Sequence, residues 1–129
     1  KQLGGMIECQ YIRNGTNKQA FHFGNRFTHT TRFFYWKGKK NWQFLPQIGY
    51  SYETADLDKQ RNTIQTYTGG NIVYGNMGID VYYKNVSLNI HVQQPLQQNL
   101  GEGFVKSNPR FLGNFIYLLN SKKYPLKSR

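Results

Sequence analysis

The sequence predicts an all-β fold, an antiparallel up-and-down meander of about six strands, and three observations carry that prediction. Apolar and polar residues alternate with a period of two through most of the chain, the pattern of strands and not of helices. Clusters of Asn, Gly and Lys with turn chemistry separate the alternating runs. Alanine, the strongest helix former, is nearly absent, whereas the chain holds 10 Tyr and 9 Phe, which favour strands.

The clearest element is the hairpin from Val73 to Gln93. Val73, Met77, Ile79, Val81 and Tyr83 share one parity; Asn76, Gly78 and Asp80 share the other. With Lys84-Asn85 as a two-residue turn, Tyr83 pairs with Val86, Val81 with Leu88, Ile79 with Ile90 and Met77 with Val92. The same register sets Asp80 opposite Asn89, Gly78 opposite His91 and Asn76 opposite Gln93. A slip of one residue would scramble both faces, so turn length and pattern support each other.

The other elements follow in order. Met6 to Arg13 reads as a first short strand, followed by turn residues 14–18. Ala20 to Trp36 reads as one long strand, with Phe21, Phe23, Phe27, Phe33 and Tyr35 on the apolar side; Asn25 and His29 interrupt that side. Lys37-Gly38-Lys39-Lys40-Asn41 is a short basic turn. Trp42 to Glu53 is a third strand, in which Pro46 implies an irregularity or an unpaired position. Residues 54–70 and 95–108 read as long polar loops. Phe111 to Leu119 is the last strand, with apolar residues on both parities, and 120–129 is a basic tail.

At 129 residues the chain suffices for one domain. Seventeen Lys and Arg against six Asp and Glu give a formal charge of +11, which suits nucleic acid, an anionic membrane surface or an anionic solute. One cysteine, Cys9, excludes an internal disulfide and a cysteine zinc cluster. No apolar run is long enough for a transmembrane helix, and Lys1-Gln2-Leu3 leads directly into a strand with no signal-peptide apolar region. That abrupt start reads as a processed chain or a fragment.

Strand order places residues 14–19, 54–70 and 94–108 at one end, and the tight turns 37–41 and Lys84-Asn85 together with the C-terminal tail at the other. Outer-membrane barrels have this asymmetry of short and long connections. Tyr35, Trp36, Trp42, Tyr82 and Tyr83 sit near the tight-turn end, and Tyr50, Tyr52 and Tyr67 toward the other, as interfacial girdles do. The polar face of the Val73–Gln93 hairpin carries Asn, Gly, Asp, Ser, His and Gln, short side chains suited to a wet enclosed lumen. Arg26, Arg32, Gln47, Asn76, Asp80, Asn89, His91 and Gln93 are therefore expected to line a lumen. Met77, Ile79, Val81, Leu88, Ile90 and Val92 are expected to face lipid.

The run Tyr83-Lys84-Asn85 through Gln93-Gln94-Pro95-Leu96-Gln97-Gln98-Asn99-Leu100-Gly101 resembles the C-terminal half of Bacteroidota-type outer-membrane β-barrel transporters, similar to the phenol-degradation meta-pathway channel-like family. Asn41-Trp42, Leu45-Pro46-Gln47-Ile48-Gly49-Tyr50-Ser51, Thr68-Gly69-Gly70 and Gly78-Ile79-Asp80-Val81-Tyr82-Tyr83-Lys84 extend the resemblance over about residues 40–119. It implies a transmembrane β-barrel in the bacterial outer membrane that passes small solutes without enzymatic chemistry. Two departures stand out. Such barrels commonly end on an aromatic residue, and closure takes at least about eight strands, so missing strands or other barrel chains are expected partners.

No catalytic set emerges, and no cofactor or metal is expected. Asp80 and His91 could relay a proton, but a structural hydrogen bond is the simpler reading. No serine sits on a nucleophile elbow. Glu53, Asp56 and Asp58 lack EF-hand spacing and have Lys59 and Arg61 beside them. His22 and His29 have no third ligand. Gly69-Gly70 and Gly101-Glu102-Gly103 match no phosphate loop and read as turns. The competing reading is a soluble basic β-barrel binding nucleic acid or a small hydrophobic ligand. Against nucleic acid, the basic residues gather in turns and tail rather than among the strand aromatics.

Overall fold

The computed structural model describes residues 2–119. The strands are β1 (Leu3–Ile12), β2 (Phe21–His22), β3 (Arg26–Tyr35), β4 (Lys37–Lys39), β5 (Trp42–Ala55), β6 (Lys59–Gln60), β7 (Thr63–Ile64), β8 (Gly70–Tyr83), β9 (Val86–Leu100) and β10 (Arg110–Tyr117). Six of them form the main antiparallel sheet in the order β1-β3-β5-β8-β9-β10, with β4 paired to β5. Skipping the short pieces, this is a meander in sequence order. The remaining three strands, β2, β6 and β7, form a small sheet beyond the long-loop end. Among the described residues no α-helix occurs, only a 3-10 turn at Gly101–Gly103.

The register of the β8–β9 hairpin is the expected one. Lys84-Asn85 forms a two-residue connection, Tyr83 faces Val86, and Asp80, Gly78 and Asn76 face Asn89, His91 and Gln93. The pairing runs further than expected. Pro95 does not end β9; a bulge there leaves Leu96 extra, and pairing resumes from Val73↔Gln97 to Gly70↔Leu100. The bulge absorbs the donor that proline lacks. Pro46 is accommodated without a bulge. The β3–β5 pairing ends at Gln47, and the β4–β5 pairing begins at Phe44, so Pro46 falls where β5 needs no donor on that side.

Other boundaries differ from expectation. The first strand starts at Leu3 rather than Met6. The long strand expected from Ala20 to Trp36 is broken at Gly24–Asn25. There the Gly24 N–H donates to Asp58 Oδ1 at 2.7 Å and the Gly24 carbonyl accepts from Asn14 Nδ2 at 2.7 Å. Side chains thus take the backbone groups a ladder would use, and β2 turns into the small sheet. The expected loop 54–70 contains the β6–β7 hairpin, whose tip Arg61-Asn62 holds both residues at positive φ, 49° and 64°, as a type I′ turn demands. Residues 37–41 are a hairpin in miniature, Lys39 facing Trp42 across Lys40-Asn41. The expected basic tail lies outside the described residues.

Registered neighbours share a face, so the pairings define two complete faces. One carries rows such as Trp42-Tyr83-Val86-Tyr117, Phe44-Val81-Leu88-Phe115 and Phe33-Ile48-Met77-Val92-Phe111. The other carries Thr30, Arg32, Gln47, Ser51, Asn76, Asp80, His91 and Gln93. The last strand, ambiguous in sequence, puts Phe111, Phe115 and Tyr117 on the apolar face and Leu112, Asn114 and Ile116 on the polar one.

Burial is inverted relative to an ordinary sheet packed on a core. On the central strands the polar face is hidden: Ser51 is 2% exposed and Asn76 and Asp80 are 8% exposed, whereas the edge strands β1 and β10 are exposed on both sides. The apolar face is open: Ile48 is 65% and Met77 60% exposed. The only buried hydrophobics among the described residues, Ile72 and Tyr74, lie on the polar side.

Candidate functional site: the polar face

The polar face is built from three adjacent central strands, with alternation placing every second residue of each on the same side. Gln47 on β5, Gly78 on β8 and His91 on β9 form one row; Asp80 and Asn89 form the next. Gly78 is the key to their meeting. A Cβ there would lie 2.4 Å from His91 Nδ1, so the imidazole occupies the space that any side chain would need. Lying over Gly78, the ring reaches Asp80, with Nε2 2.9 Å from Oδ1. The carboxylate only accepts, so His91 donates through Nε2. Gln47 Nε2 donates to the other oxygen, Oδ2, at 3.0 Å. Asp80 is thus held from both sides.

A second network lies higher on the same face. Thr30 Oγ1 donates to Ser51 Oγ at 3.1 Å, and Asn76 Nδ2 donates to the same oxygen at 2.5 Å. Asn76 Oδ1 is buried without a partner. Between the two networks lies a cavity of about 210 Å³, lined by Arg32, Gln47, Asn76, His91, Gln93 and Asn114 among others.

A third group closes the long-loop end. Arg110 on the edge strand β10 sends Nη1 to Glu53 Oε1 at 2.9 Å, crossing over β9 and β8 to reach β5. On the way its guanidinium stacks on the Tyr74 ring, 4.3 Å from the centroid. The Tyr74 hydroxyl meets Ser107 Oγ at 2.8 Å, and the Ser107 N–H donates to Gln98 Oε1 at 2.7 Å. An edge-to-middle contact across two strands, together with the deep burial, makes this the concave face. A larger hollow of about 530 Å³ opens here, with Arg26, Thr28, Glu53, Tyr74 and Arg110 on its wall.

The expected lumen set therefore shares one face. Gln47, Asp80 and His91 are joined by hydrogen bonds; Arg32, Asn76 and Gln93 surround the same cavity; Asn89 is in register with Asp80. Arg26 is on the face but beside the larger hollow, so Arg26 and Arg32 serve different spaces. Sequence reasoning missed Thr30, Ser51, Tyr74 and Arg110 as members. Ser51 and Thr30 were legible as polar-parity residues; the diagonal reach of Arg110 carried no local signal.

The apolar face has one polar knot, centred on His29. Its ring accepts or donates to Thr31 Oγ1 at 2.9 Å, with Cys9 Sγ at 3.3 Å and the Tyr50 hydroxyl at 3.4 Å. Glu53, Asp56 and Asp58 do not converge: Glu53 holds Arg110, and Asp58 caps the Gly24 N–H. Among the described residues no group of three or more His, Cys, Asp or Glu side chains is placed to hold a metal. No protein-family model matches the sequence, and comparison with curated proteins and with solved structures finds no match.

Proposed function

We propose that this sheet forms part of the wall of an outer-membrane β-barrel, a non-enzymatic channel whose polar face lines the path of small solutes. The observation that carries the reading is the inverted burial: hydrogen-bonded Ser51, Asn76 and Asp80 are inside, and Ile48, Met77 and Ile90 are outside. In water a continuous apolar face of this extent needs a cover; in a bilayer, lipid is that cover.

Dimensions support the same reading. On β5 the apolar face runs from Trp42 to Tyr50, nine residues whose eight steps span about 27 Å along a strand. Tilted as barrel strands are, this approaches the apolar band of about 25 Å in outer-membrane barrels. Aromatic rings mark both limits, with Trp42, Tyr83 and Tyr117 in one row and Tyr50 and Tyr52 at the other end. Six strands are fewer than the eight or so that closure takes, so the proposal requires further strands from other copies or chains. No helix of the described residues is long and apolar enough to cross a membrane.

The test is accessibility. In a Cys9→Ser background, Asn89→Cys and Ile90→Cys place thiols on opposite faces of one strand. In vesicles the thiol at 89 should react with a small water-soluble reagent and the thiol at 90 only with a membrane-soluble one. Equal reaction of both in detergent-free buffer, with the protein soluble, would overturn the barrel reading. It would instead favour a soluble basic β structure that binds nucleic acid or a small hydrophobic ligand.

A further inference from the structure

The two tight turns have the same sequence. Lys40-Asn41 joins β4 to β5, and Lys84-Asn85 joins β8 to β9. In both, the lysine sits at positive φ, 53° and 50°, where glycine or asparagine is the usual occupant. Because β5 and β8 are neighbours, the turns lie side by side, and the Lys84 N–H points to the Asn41 carbonyl at 3.4 Å. Lys37 and Lys39 belong to the same hairpin as Lys40, and all four lysines are exposed.

Nothing acidic answers this charge. The six acidic residues are Glu8, Glu53, Asp56, Asp58, Asp80 and Glu102. Five lie in mid-sheet or toward the long loops. Asp80, the nearest along the chain, is on the concave face and already held by His91 and Gln47. Adjacent like charges in strained turns oppose folding, so an external anion is the natural counterpart. Directly inside the lysines run Trp42, Tyr83 and Tyr117 in one row, with Trp42 and Tyr83 ring centroids 4.4 Å apart. Indole and phenol rings favour headgroup depth, and lysines beyond them reach phosphates.

We propose that this rim is a docking surface for anionic phospholipid headgroups, with Lys37, Lys39, Lys40 and Lys84 contacting phosphates and the Trp42-Tyr83-Tyr117 row lying at headgroup level. The inference deepens the membrane reading above and rests on it for the depth of that row. The test is flotation of the full chain with phosphatidylcholine vesicles, with and without phosphatidylglycerol, at low and high salt, followed by an alkaline wash that leaves only inserted protein. Association should be on the order of tenfold or more stronger with phosphatidylglycerol and should weaken in high salt. Lys37→Gln, Lys39→Gln, Lys40→Gln and Lys84→Gln together should cut the preference several-fold; the same four positions changed to Arg should keep it, which separates loss of charge from loss of folding. Insertion into both vesicle types alike, indifferent to the four substitutions, would overturn the lipid proposal and leave the barrel standing. Lysine-dependent binding to phosphatidylglycerol that the wash removes would support headgroup docking and overturn the barrel. Lysine-dependent capture of duplex DNA without vesicle binding would overturn the docking proposal.

Discussion

His91 and Asp80 meet at 2.9 Å on the concave face, joined from neighbouring strands because the residue directly opposite His91 is Gly78. The contact is diagonal. A larger residue at 78 would stand between the imidazole and the carboxylate, so an empty position on one strand is what lets two polar groups on adjacent rows reach each other.

Removing the shared acceptor tests this arrangement. Asp80→Ala strands the His91 N–H and the Gln47 amide in a half-buried site, and should lower unfolding free energy by about 1–3 kcal/mol. Asp80→Asn keeps an acceptor oxygen and should cost less. Urea unfolding in detergent micelles gives both values; equal losses would mean that the hydrogen bonds contribute little.

The glycines of the polar face should differ in sensitivity. At Gly49 a Cβ would fall 2.0 Å from the Thr31 carbonyl oxygen, a backbone atom that moves only if β3 and β5 part. At Gly78 the obstacle is the His91 ring, which can swing away. Gly49→Ala should therefore destabilise by 3 kcal/mol or about that, at the upper end for overpacking, and Gly78→Ala by about 1 kcal/mol. The second variant should also lose the His91–Asp80 contact, visible as a changed imidazole signal in NMR.

Arg110 makes two contacts that substitutions can separate. Its ion pair with Glu53 is partly exposed, at 45% and 33% side-chain exposure, so Glu53→Gln should cost no more than about 1 kcal/mol and less in high salt. Arg110→Ala also uncovers the Tyr74 ring and should cost about 1 kcal/mol beyond that. Arg110→Lys should fall between, since an ammonium cannot pair and stack as the planar guanidinium does. Unfolding of the three variants at two salt concentrations orders them.

Lys84→Gly offers a gain of stability. Glycine adopts the positive φ of 50° without strain, whereas an L-residue there costs about 1–2 kcal/mol, partly offset by the greater chain entropy of glycine. The net gain should be several tenths of a kcal/mol, to be read from the urea midpoint. The same variant should bind phosphatidylglycerol vesicles less well, so stability and association would move in opposite directions.

The parts legible in the sequence were those where local pattern and turn length act together. Tyr83 to Val86 fixes a two-residue loop, and from it every pair back to Asn76↔Gln93 follows by counting. Pro46 was legible as an anomaly because proline lacks a donor, although the hand-over from β3 to β4 that accommodates it was not. Residues 59–64 hid a hairpin because strands of two residues show no periodicity. The break at Gly24 depends on Asp58, 34 residues away, and Arg110 reaches Glu53 over a separation of 57. Such distant pairings leave no trace in a local window. Tyr74 and Ile72 were obscured for another reason. They carry apolar side chains on the polar parity, and the cover over Tyr74 comes from Arg110 and Ser107, more than thirty residues away in sequence.

The even number of strands along the main path has a consequence for growth. With six strands in strict alternation, the outer edges of β1 and β10 run in opposite directions. A second sheet of this kind can therefore add its β1 to the first one's β10 and preserve the antiparallel order. Both faces continue across the joint, and every lysine-tipped turn stays at the same end. An odd count would force a parallel seam or turn alternate units upside down. The sheet is in this sense like a stave: its two edges are matched in direction.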